Sequence, residues 1–83
     1  MRVTVKLYAT LADYLPPDSK HNRTAIEVAE NAAVDAVLAP FLLPAKLTHL
    51  VLLNGVFVPP AERATTALRD GDVLAVWPPI AGG

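Results

Sequence analysis

Eighty-three residues leave room for one domain and one core, and too little chain to wall a deep catalytic cleft, so self-sufficient catalysis is not expected. With 53% apolar and 18% charged residues the chain is expected to fold; its net charge of −1 and scattered basic residues (Arg2, Lys6, Lys20, Arg23, Lys46, Arg63, Arg69) speak against a nucleic-acid partner. The lack of cysteine excludes disulfides, thiolate metal sites and a thiol nucleophile, and no apolar run approaches the roughly 18–20 residues of a membrane span, so a cytoplasmic protein with no membrane partner is expected.

From Arg2 to Tyr8 the period is two. Val3, Val5 and Leu7 face one way and Arg2, Thr4, Lys6 and Tyr8 the other, which predicts a half-buried strand. Residues 9–15, ATLADYL, fit about one helical turn, ended by Pro16-Pro17 because proline disfavours helix in the residue before it. After the turn-forming SKHN, Thr24, Ile26 and Val28 alternate with Ala25, Glu27 and Ala29, which predicts a second strand pairing back on the first.

In NAAVDAVLAPF the apolar residues Val34, Val37, Leu38 and Phe41 fall at i, i+3, i+4 and i+7, the stripe of an amphipathic helix. Asn31 is the expected cap, Asp35 sits near the first turn where the helix dipole favours an anion, and Pro40 should stop the helix at about Ala39. Residues 49–53, HLVLL, lead through Asn54-Gly55 into VFV; Asn-Gly between apolar runs signals a hairpin because both turn residues need positive φ. Pro59-Pro60 end that hairpin, AERATTAL reads as loop or brief helix, and RDGD turns the chain into VLAVW. That last run is apolar on both faces, as befits a central strand. The order strand, strand, helix, strand, strand, strand predicts an α+β fold: a mixed sheet of about five strands with one main helix across one face, the β-grasp or ubiquitin-like pattern. The expected division is a globular domain over 1–77 and a tail over 78–83.

Two of only four glycines, Gly82 and Gly83, close the chain behind Pro78-Pro79. Prolines favour an extended path, and six residues reach roughly 20 Å. Glycine lacks the Cβ that would block passage through a narrow channel, and the reactive group at the tip is the Gly83 carboxylate. A carboxylate is a poor electrophile, so acyl chemistry there requires a partner to convert it into an activated ester such as an acyl-adenylate. Gly83 would then be a substrate group rather than a catalyst.

The strand order, LLNG, the LRDGD turn before the last strand and the terminal WPPIAGG together resemble the sulfur-carrier family that includes the small subunit of molybdopterin synthase (MoaD) and the thiazole-pathway carrier (ThiS). The tail most resembles the molybdopterin branch. Two positions depart from the family pattern: Val76 stands where that branch usually has an aromatic residue, and Ala33 where many members carry a helix-capping Thr or Ser. The resemblance implies that a ubiquitin-activating-type enzyme adenylates Gly83 using ATP and magnesium, which this chain itself does not bind. A sulfur donor then converts Gly83 to a thiocarboxylate, and a larger catalytic subunit of molybdopterin synthase passes the sulfur to a cyclic pterin precursor. On this reading Gly82 and Gly83 carry the chemistry, and Trp77, Pro78, Pro79, Ile80, Ala81 and Phe57 contact partners.

Trp77, at the strand end, fits either a core position or an apolar docking patch, and Phe57 reads first as a packing residue. His21 and His49 lie far apart with no carboxylate pair at ligand spacing, so no metal site is expected. Asp70 and Asp72 flank Gly71 as turn formers, and Arg69 beside them is expected in solvent. Asn54-Gly55 is too short for a phosphate cradle, and Thr65 and Thr66 lack a histidine-acid pair nearby. Alternative functions are a thiazole-pathway or other sulfur carrier, a protein modifier whose Gly83 is joined to lysines, and a β-grasp interaction module with an inert tail.

Overall fold

The computed structural model describes residues 1–79, and in it five strands form a single sheet in the order β2-β1-β5-β3-β4. These are β1 (Arg2–Leu7), β2 (Arg23–Glu27), β3 (Leu50–Leu53), β4 (Val56–Phe57) and β5 (Val73–Trp77). β2 pairs antiparallel with β1, β5 runs parallel to β1, and β3 pairs antiparallel with both β5 and β4. The doubly apolar VLAVW is thus the middle strand, as its composition predicts.

Helix α1 (Val34–Leu38) completes the β-grasp arrangement. Its Val34, Val37 and Leu38 share one buried cluster with Val3, Val5 and Leu7 of β1, Val51 of β3, and Leu74 and Val76 of β5. The period-two and i, i+3, i+4 patterns therefore meet in the same core, where burying each such side chain contributes about 1.5–3 kcal/mol. Residues Ala9–Tyr14 form a 3-10 helix that inserts Leu11 into this core. The regular helix stops where Pro40 requires, and Ala39–Phe41 continue as a 3-10 turn.

The helix start differs from expectation. Asn31 adopts a left-handed φ of 62° in a preceding turn, and the N-cap position falls on Ala33, which has no side-chain acceptor. Backbone carbonyls do the capping instead: Val34 N–H donates to Thr66 O and Asp35 N–H to Arg63 O, each at 3.0 Å. Leu68 N–H also donates to Ala32 O at 2.8 Å, so the 63–68 segment runs alongside the helix entry. These contacts satisfy donors that a five-residue helix would otherwise leave open.

Two turns are stitched together at one end of the sheet. Asn54 and Gly55 take φ of 50° and 85°, as a two-residue hairpin turn demands, and Gly71 takes 86°. Asn54 Nδ2 donates to Asp72 Oδ1 at 3.0 Å, and Asn54 Oδ1 accepts Val73 N–H at 2.9 Å. Asp72 Oδ2 accepts Arg69 N–H within its own turn, as expected, whereas Asp70 Oδ1 reaches across to Arg2 N–H at 2.7 Å.

Arg63, one of the basic residues scattered along the sequence, is buried, at 6% exposure. Its Nε donates to Val58 O, Nη1 to Thr48 O and Nη2 to His49 O, at 3.0–3.1 Å. The guanidinium thus ties the end of the β3–β4 hairpin to the loop before β3. Arg63→Met leaves these carbonyls without their charged donor and is expected to lower the unfolding free energy by about 2–4 kcal/mol in urea titration. The exposed Arg69→Met is expected to change it by less than about 0.5 kcal/mol.

Candidate functional site

Strand β5 ends at Trp77, and three contacts from Tyr8 and His49 fasten this end. Tyr8 N–H, just past β1, donates to Val76 O at 3.1 Å, and His49 N–H, just before β3, donates to Trp77 O at 3.2 Å. The Tyr8 and Trp77 rings stack with centroids 4.4 Å apart and planes 4° from parallel. Pro78 follows half-buried and Pro79 exposed. Neither proline has an N–H, so neither can donate to an extension of the ladder. The chain therefore leaves the sheet from a strand paired on both edges, at a defined point.

The face opposite the core is chemically graded. Across one register row stand Arg23, Lys6, Ala75, Leu52 and Phe57, from β2 to β4; across the next, Trp77 pairs with Leu50 and stacks on Tyr8. Paired residues point to the same side of a sheet, so the row runs from basic to apolar. Phe57 is 51% exposed and Leu50 36% exposed, so the packing role that Phe57 suggests in sequence gives way to a place on this open face. Trp77 is half-buried and shares the patch rather than filling the core. Among the described residues the ion pairs are Arg2–Glu27 and the amino terminus with Glu30; Lys6 and Arg23 enter neither.

The remaining residues singled out in sequence lie elsewhere. His21 and His49 are exposed on separate loops, and the Thr65 and Thr66 hydroxyls donate to Glu62 O. An open cavity of about 520 Å³ lies between α1 and the loop that follows it, with Leu38, Leu42, Leu43 and Pro60 on its wall. Asp35 and Arg63 also line it, and the Arg63 side chain is engaged by backbone carbonyls. Thr48, also on the wall, donates its hydroxyl to Pro44 O at 3.1 Å. Ile80, Ala81, Gly82 and Gly83 lie outside the described residues. Neither the Tyr8 stack nor the burial of Arg63 is evident from the sequence. Tyr8 did carry one signal, an aromatic on the outward face of β1, but its partner stands 69 positions along the chain.

Comparison with solved structures returns the same architecture. SAMP1 from Haloferax volcanii is 26% identical over the whole of both chains with a TM-score of 0.69. A chain from the complex of subunits 1 and 2 of molybdopterin-converting factor from Helicobacter pylori is 22% identical over the whole of both chains, with a TM-score of 0.63. The thiamine biosynthesis protein ThiS from Geobacter metallireducens is 20% identical over the whole of both chains, with a TM-score of 0.66. No curated protein matches the sequence. The sequence profile of the ThiS family matches residues 5–83, taking in both the β-grasp body and the terminal diglycine. The chain belongs to the ThiS family of ubiquitin-like, β-grasp sulfur carriers.

Proposed function

We propose that this protein carries sulfur as a thiocarboxylate on Gly83 and delivers it in molybdopterin biosynthesis. The observation that carries this reading is the continuity of β5 with the tail: a strand bonded on both sides ends at Trp77, and the family match runs on through Pro78-Pro79 to Gly83. A rigid root and a side-chain-poor tip suit a group that must enter other proteins' active sites. WPPIAGG, which resembles the molybdopterin branch, supports that pathway over the thiazole one.

The chemistry belongs to partners. A carboxylate oxygen of Gly83 attacks the α-phosphorus of ATP, bound with magnesium by a ubiquitin-activating-type enzyme, and pyrophosphate leaves. A sulfur nucleophile at the oxidation level of hydrosulfide then attacks the acyl carbon, AMP leaves, and the thiocarboxylate remains. The thiocarboxylate is a stronger nucleophile than the carboxylate it replaces. The larger subunit of the synthase would accept that sulfur. This chain contributes the tail, its root and the graded face, whose apolar Leu50, Leu52 and Phe57 and basic Lys6 and Arg23 suit an apolar partner patch with an acidic rim.

A second reading has its own support, because one of the 26% identical structures is the small archaeal modifier protein 1 of Haloferax volcanii. On that reading a lysine amine, rather than hydrosulfide, captures the same adenylate and Gly83 becomes amide-linked to a target.

Incubation with the activating enzyme, magnesium, ATP and sodium sulfide is expected to add about 16 Da at the C-terminus, one oxygen replaced by sulfur. The thiocarboxylate form is then expected to sulfurate the pterin precursor in the presence of the larger synthase subunit. Adenylation followed only by lysine adducts would favour the modifier reading, and transfer confined to a thiazole synthase would move the carrier to that pathway. Leu52→Glu on the outer face is expected to weaken binding to the activating enzyme at least about tenfold by calorimetry while leaving the thermal unfolding curve near that of wild type.

A further inference from the structure

The turn Asn54-Gly55 joins a reactive dipeptide to an unusual restraint. When glycine follows asparagine, no Cβ shields the glycine nitrogen, and it can approach the asparagine carboxamide carbon. We propose that Asn54 is a spontaneous deamidation site whose reaction is held in check by the side-chain bonds joining it to the turn before β5. Both ends of the carboxamide are engaged there: Nδ2 donates to Asp72 Oδ1 at 3.0 Å, and Oδ1 accepts Val73 N–H at 2.9 Å. The backbone is held as well, since Asn54 N–H donates to Val73 O at 2.8 Å. Asn54 and Gly55 are exposed to water, so these bonds rather than burial provide the restraint.

The reaction needs only water. The Gly55 nitrogen bonds to Asn54 Cγ and loses its proton, and Nδ2 departs as ammonia, closing a succinimide ring. Water then opens the ring at either carbonyl, leaving aspartate or a β-linked isoaspartate at position 54. No oxidation or reduction occurs.

Either product strikes the latch. Aspartate sets a carboxylate against the Asp72 carboxylate where an N–H donor had stood. Isoaspartate adds a backbone atom to a turn that has two residues to reverse the chain. Asp72 O accepts Thr4 N–H at 2.9 Å and Val73 opens β5, so the damage falls where the central strand begins. The site is thereby coupled to sheet stability through Asp72 and Val73, independently of any chemistry at the tail.

The test is prolonged incubation of the full chain in warm, mildly alkaline buffer, with peptide mass mapping of the gain of about 1 Da and of isoaspartate at position 54. A synthetic peptide of residues 50–58 serves as the unrestrained reference. Folded wild type is expected to react at least about tenfold more slowly than the peptide, and Asp72→Ala about tenfold faster than wild type, the shift that loss of one charge-assisted hydrogen bond produces. Asp70→Ala, which loosens the same turn without touching Asn54, is expected to stay near wild type. Wild type converting at the peptide rate, Asp72→Ala no faster than wild type, or Asp70→Ala as fast as Asp72→Ala would each overturn the proposal. Should Asp72→Ala fail to fold, wild type in native buffer against wild type in urea decides it, and equal rates would overturn it.

Discussion

Strand β5 hydrogen-bonds to β1 on one edge and β3 on the other, and its Leu74 and Val76 are fully buried in the core beneath. Because this strand is the last among the described residues, the tail departs from a strand held on both edges. Its two neighbours are fastened to it at both ends: at the start by the Asn54, Asp72 and Thr4 contacts, and at the finish by Tyr8 and His49. On the proposed function the tip is handed between enzymes, which calls for a fixed body to be recognised and a fixed point from which the tip extends. The sheet topology supplies both.

Local patterns in the sequence revealed most of the strands and the place of β5, because alternation, Asn-Gly and a doubly apolar run are signals carried by neighbouring residues. What they could not reveal was satisfied at long range. The helix entry is capped by the carbonyls of Arg63 and Thr66 rather than by Asn31, and the resemblance that set Ala33 at a capping position located the cap better than the local signal did. Arg63 gave no sign of burial, since its partners are backbone oxygens up to 15 positions away and backbone carbonyls leave no trace in residue type. Asp70 was legible as a turn former, but its bond to Arg2 spans 68 positions.

The candidate site shows the same division. The tail announced itself through residue types at the chain end, and the family match extends over it. The graded face did not, because its members come from five strands and become a row only through register. Phe57 is the instructive case: an aromatic after a hairpin turn reads as core by composition, yet β4 is a two-residue edge strand and leaves that side chain half exposed. The resulting surface runs from a basic edge to an apolar one and includes Trp77 at the tail root, which on the proposed function would set recognition of the body beside delivery of the tip.

The central claim is that the working atom is the acyl carbon of Gly83, offered beyond a rigid strand. It is tested most directly by appending one alanine after Gly83 and measuring ATP–pyrophosphate exchange by the activating enzyme with wild-type and extended chains. The account predicts that exchange with the extended chain falls at least about a hundredfold, while its affinity for the enzyme through the outer face of the sheet stays within about threefold. Exchange at the wild-type rate would contradict it.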